Sequence, residues 1–131
     1  MEFSQPESIY LQVADHLRDR ILAGEWHEGE RIPSARELAV RVGVNPNTVT
    51  KSYQALLDRE IIENQRGLGY FVAADAKRRI LDQMRDEFVR DELPRIARTM
   101  RVLGMNLAEL EPHFTRLNGG IRDDDLLSPK S

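Results

Sequence analysis

Residues 42–51, Val-Gly-Val-Asn-Pro-Asn-Thr-Val-Thr-Lys, gather side chains able to hydrogen-bond base edges and phosphates. The amide of Asn47 offers a donor and an acceptor together, the pattern that matches adenine in a major groove. Thr48 and Thr50 carry hydroxyls suited to phosphate and methyls suited to thymine, and Lys51 is a flexible point charge for phosphate or guanine. Asn45 is counted with these as a DNA-binding candidate, and it also suits a helix N-cap, where its side chain turns back on the helix's own N–H groups. Upstream, Arg36 can reach the groove or the DNA backbone; downstream, Arg66 can enter the adjacent minor groove, and Gly67 beside it permits close backbone approach. Other chemistry has little support. Cysteine is absent, which excludes disulfides and thiolate metal sites. His16, His27 and His113 are not at ligand spacing, so no metal is expected. No nucleophile stands with a base, so neither an enzyme nor a cofactor is expected.

The elements that carry these residues follow from periodicity and capping. Ile9, Val13, Leu17 and Ile21 recur every four residues and predict a first helix, with Ser8 as N-cap and Gly24 as its stop. Ser34 followed by Glu37 is a capping-box pattern opening a second helix, and Gly43 closes it. A third helix begins almost at once, with Asn45 as N-cap and Pro46 at the first helical position, where a missing N–H costs nothing. Val49, Tyr53, Leu56 and Leu57 form its buried stripe, which leaves Asn47, Thr48, Thr50 and Lys51 mostly on the exposed first turn. The start of such a helix also attracts phosphate. Two β-prone runs, 61–64 and 70–73, flank Gln-Arg-Gly-Leu-Gly and predict a hairpin. Helix, helix, helix, hairpin is the order of a winged helix-turn-helix.

Charge sets a constraint on this reading. The formal net charge is −3, whereas a basic footprint is usual for a DNA binder. Residues 1–72 hold eight Lys and Arg against eleven Asp and Glu. Contact with DNA must therefore rest on a few well-placed cations. No apolar run is long enough for a membrane span and no signal peptide is evident, so a cytoplasmic location is expected.

From Ile9 to Val72 the sequence resembles the DNA-binding domain of the GntR family of bacterial transcription regulators. The resemblance is carried by Tyr10, Gln12, Gly24, Gly29, Arg31, the Pro-Ser-Ala-Arg-Glu-Leu-Ala block from Pro33, Gly43-Val44, Thr48-Val49, Leu56 and the Arg-Gly-Leu-Gly-Tyr-Phe-Val wing from Arg66. Many family members have Ser-Arg where this chain has Asn45-Pro46, and a basic residue where it has Thr50. The Asn-Pro-Asn-Thr-Val version is similar to the YtrA-like branch. The expected fold is mainly α with a small β-hairpin wing: a winged helix-turn-helix DNA-binding domain over 1–74 and a helical region over 75–118 that the likeness implies is for dimerisation, while the Gly-rich, acidic composition predicts a flexible tail over 119–131.

The tail has its own pattern. Ile80, Met84 and Phe88 form one apolar stripe and Ile96, Met100 and Leu103 another, with a kink or break expected at 92–94 because of Pro94. Leu107, Leu110 and Phe114 keep helical spacing in a last helix capped by Asn106. Apolar stripes of this kind exceed what one small winged domain can cover and predict a homodimer interface, unless they fold back on the first helix. The expected function is a homodimeric repressor on a pseudo-palindromic operator. Two alternatives are a winged-helix module for protein–protein contact and a sensor with a small molecule in the dimer cleft. No effector is expected, because the tail shows no convergent polar groups.

Overall fold

The computed structural model describes residues 6–119. They fall into two compact units, one ending at Ile80 and the other beginning at Leu81. In the first unit, helix α1 spans Pro6–Leu22, α2 Ala35–Val42 and α3 Pro46–Asp58. Strands β1 (Ile62–Gln65) and β2 (Gly69–Val72) form an antiparallel hairpin in which Ile62 faces Val72 and Gln65 faces Gly69. Helix α3 is central: α1, α2 and β1 all pack on it.

Burial follows the apolar pattern. Ala14, Leu17 and Ile21 of α1, Leu38 of α2, and Val49, Tyr53 and Leu56 of α3 close over Ile32, Ile61 and Val72. Burying each large aliphatic side chain contributes roughly 1.5–3 kcal/mol. Ser52 is fully buried among them. Its hydroxyl donates towards the carbonyls of Tyr10, at 2.7 Å, and Thr48, at 2.9 Å, which ties α1 to α3 without leaving a polar atom orphaned.

Several sequence expectations shift by small amounts. α1 begins at Pro6, so Ser8 lies inside the helix and is not its N-cap. The strands sit one residue closer to the tip than the β-prone runs, because the Leu68 N–H bonds the Gln65 carbonyl at 2.8 Å and sets the register from the turn. The segment before Pro33 joins the hairpin as a third rung: the Ile32 N–H reaches the Tyr70 carbonyl at 2.9 Å, and Arg31 bridges Phe71.

Helix α4 (Ala76–Glu87) starts in this first unit. Ala76 and Ile80 are fully buried, and the Lys77 N–H donates to a Glu28 carboxylate at 3.1 Å. Ile80 therefore has no surface to offer a partner, which corrects its assignment to a dimer stripe. The first turn of α4 is core to the winged unit, so the unit extends past residue 74.

In the second unit a π-helical turn, Phe88–Glu92, leads into α5 (Leu93–Leu103), and α6 spans Leu107–Gly119. The break expected at 92–94 begins earlier, at Phe88. Pro94 lacks an N–H and its ring would crowd the carbonyl of Arg90, and a widened turn in which the Leu93 N–H reaches back to the Phe88 carbonyl accommodates it. Gly104 closes α5 in the left-handed region, and Asn106 and Glu109 form a reciprocal cap at the start of α6, at 3.0 and 2.8 Å. Of the expected acidic tail, 120–131 lies outside the described residues. No described helix is long and apolar enough to cross a membrane.

Candidate nucleic-acid interface

The two short helices α2 and α3 are held by caps that the local sequence dictates. The Ser34 hydroxyl accepts from the Glu37 N–H at 3.1 Å, and the Glu37 carboxylate accepts from the Ser34 N–H at 2.8 Å. That second bond holds the Glu37 carboxyl below the usual glutamate range. Gly43, at φ 73°, ends α2 in a conformation that side chains disfavour and frees the chain to turn into α3.

At the start of α3 the Asn45 side-chain oxygen accepts from the Asn47 N–H at 2.7 Å. Pro46 has no N–H. The N–H groups of Thr48 and Val49 both reach the Asn45 carbonyl, at 2.9 and 3.2 Å. All the first-turn donors of α3 are thus absent or engaged. This corrects the expectation that the helix start itself would bind phosphate: only its dipole is available, and anion contact falls to side chains.

The exposed face of α3 is continuous. Asn47, Thr50, Lys51, Gln54 and Asp58 are all exposed at three- and four-residue steps, opposite the buried Val49, Ser52, Tyr53 and Leu56. Thr48 is half-buried at the edge of this face. The Thr50 hydroxyl donates to the Pro46 carbonyl at 3.1 Å, so it is engaged within the helix. Asn45 is committed to its cap. Gln54 is a face residue that the sequence reading missed. Its amide donates to the Asp58 carboxylate at 2.9 Å. Seven residues beyond Asn47, it was legible as the next position on the same face.

Arg36 is exposed in the first turn of α2, and Arg66 and Gly67 are exposed at the wing tip. Among the described residues, the side chains of Arg36, Lys51 and Arg66 enter no ion pair or hydrogen bond. Elsewhere many cations are already neutralised: Arg79 pairs with Asp75 at 2.9 Å, Arg85 with Asp82 at 3.1 Å and Arg90 with Asp91 at 3.1 Å. An acidic chain thereby keeps uncommitted positive charge on the helix-turn-helix and the wing.

Tyr53 fixes the wing relative to α3. Its hydroxyl donates to the Pro33 carbonyl at 2.6 Å, and its ring meets that of Tyr70 edge-on with centroids 4.9 Å apart. Burial raises its phenol well above the usual range. Tyr53 was expected in the core, but its part in seating the wing was not legible in the sequence.

Among the described residues no group of three or more His, Cys, Asp or Glu is placed to hold a metal. The profile of "Bacterial regulatory proteins, gntR family" matches residues 9–72. The chain is 36% identical over 120 residues to the uncharacterised HTH-type transcriptional regulator YhcF of Bacillus subtilis, covering 91% of this chain and 98% of that one. It is 28% identical over 114 residues to the HTH-type transcriptional repressor YtrA of the same organism, covering 87% of each. A solved GntR-family transcriptional regulator from Bacteroides thetaiotaomicron superposes with a TM-score of 0.77 at 40% identity, covering 86% of this chain and 97% of that one. Together with the winged helix-turn-helix and its uncommitted cations, these likenesses identify the chain as a member of the gntR family, a DNA-binding transcriptional regulator and not an enzyme.

Proposed function

We propose that the protein is a homodimeric, sequence-specific repressor that binds a pseudo-palindromic operator in the cytoplasm. The observation that carries sequence reading is the exposed face of α3. Asn47 and the Thr50 methyl read base edges, with Lys51 and Thr48 on phosphate or base. Arg36 contacts the backbone or the groove edge, and Arg66 with Gly67 enters the adjacent minor groove. Asn45 acts indirectly, by fixing the helix start.

The dimer reading is supported by apolar exposure in the second unit. Phe88 is 44% exposed, Ile96 41%, Leu103 64%, Leu107 77% and Phe114 56%. Met84, Met100 and Leu110 are half-buried. Phe88, Ile96, Met100, Leu110 and Phe114 line an apolar groove of about 600 Å³. Side chains of this size left in water make a strong drive to association. The residues proposed to pair between protomers are thus Met84, Phe88, Ile96, Met100, Leu103, Leu107, Leu110 and Phe114, without Ile80. Repression is supported by the name of the relative YtrA. No small-molecule effector is invoked.

Binding of chromosomal fragments in the presence of excess unrelated duplex tests this function. Retention of particular fragments, weakening steeply as salt is raised, is expected. Retention of none would favour the module for protein–protein contact.

A further inference from the structure

Arg31 is not among the residues assigned to DNA contact, yet it reaches the wing tip. Its Nε donates to the Leu68 carbonyl at 2.9 Å across 37 residues of sequence. Gly69 makes room for it: a Cβ there would lie 2.9 Å from Arg31 Nε and 3.5 Å from a terminal guanidinium nitrogen. The backbone of Arg31 is already locked to the hairpin through its bridge to Phe71.

The tip needs such support. Three of the four residues of β1 are exposed, and the turn from Gln65 to Leu68 is closed by one backbone hydrogen bond of 2.8 Å. A two-stranded hairpin is marginally stable by itself. Arg66 stands on this turn, and an unsupported tip would have to be ordered on binding, at a cost in affinity.

We propose that Arg31 is a positioning residue for DNA binding, holding the Leu68 carbonyl so that the wing presents Arg66 to the duplex in one geometry. This rests on the reading that Arg66 contacts DNA. Gly69 serves the same device, since a side chain there would displace the guanidinium from the tip.

A double-mutant cycle with the full-length chain tests it. Arg66→Ala, Arg31→Met and the double variant are titrated by fluorescence anisotropy against a duplex chosen by selection with the wild-type protein. Methionine keeps an apolar stem over Gly69 and removes the donor. Arg31→Ala is run in parallel, and melting followed through Trp26 verifies that each variant folds. Arg66→Ala is expected to weaken binding about tenfold, as for loss of one charge-assisted contact. Arg31→Met is expected to weaken it nearly as much, and the double variant no more than Arg66→Ala. Arg31→Met should also flatten the base preference at the operator flanks and leave the positions read by α3 unchanged. Losses that multiply in the double variant would overturn the proposal, because Arg31 would then act by its own contact. Wild-type binding by both Arg31 variants would overturn it while leaving the wing contact standing. Wild-type binding by Arg66→Ala would remove the wing contact and the proposal with it.

Discussion

Replacing Asn45 and Asn47 separately with alanine should split stability from recognition. The Asn45 side chain satisfies one donor, the Asn47 N–H, at 2.7 Å. The Thr48 and Val49 N–H groups use the Asn45 backbone carbonyl, which alanine keeps. One N–H is therefore orphaned, at an exposed position where water takes part of the load. Within the usual cap range of roughly 0.5–2 kcal/mol, a loss of about 1 kcal/mol follows. In a unit of this size that lowers Tm by about 4–8 °C. Trp26, the single tryptophan, is 6% exposed and reports melting of the winged unit by fluorescence. Asn47→Ala removes a side chain without a hydrogen bond among the described residues and introduces a better helix former, so Tm should hold or rise slightly. It should instead cost about 1–3 kcal/mol of discrimination at one base pair. Equal melting of the two variants would refute the division of roles, and an Asn47 variant with unchanged base preference would move sequence reading to Thr48, Thr50, Lys51 or the wing.

Arg36→Ala and Lys51→Ala should each reduce the slope of log K against log salt by about 0.9, with unchanged melting, if each meets one phosphate; titrations at several salt concentrations measure this. Phe114→Arg or Ile96→Glu should convert a dimer into a monomer by light scattering, because an unpaired charge buried in the interface costs about 3–5 kcal/mol. The Glu37 carboxyl is held below its ordinary 4.5 by the Ser34 N–H. Its folded value being the lower one, the capping box contributes stability above about pH 4.5 that is lost as pH falls through the folded value. Glu37→Gln should remove that part of the acid dependence in Trp26-monitored melts.

Features written in adjacent residues were legible before the structure. The Ser34–Glu37 box, the Asn45-Pro46 helix start and the Gly43 stop each depend on backbone groups a few residues away, so sequence spacing determines them. The hairpin was placed to within one residue, because β-propensity marks the strands and only the Gln65–Leu68 turn sets their register. Contacts between distant segments were not legible. Nothing near Arg31 announces a bond to the Leu68 carbonyl, and nothing near Ser52 announces one to the Tyr10 carbonyl. Ile80 fits the helical stripe of the tail as well as it fits the winged core, and periodicity alone could not separate the two. The π-helical turn has the same origin: Pro94 signals a disruption, but the chain absorbs it upstream, where the carbonyl it would strike is located.

Selection of bound sequences from a random duplex library, using the full-length protein, tests most directly whether a dimer reads DNA through α3. An enriched inverted repeat is expected, with half-site centres about 10–10.5 base pairs, or a multiple of that, apart. Asn47→Ala should relax the preference at one symmetry-related pair of positions. Enrichment of a single, unrepeated half-site, or of no sequence at all, would contradict a dimeric regulator reading DNA through the exposed face of α3.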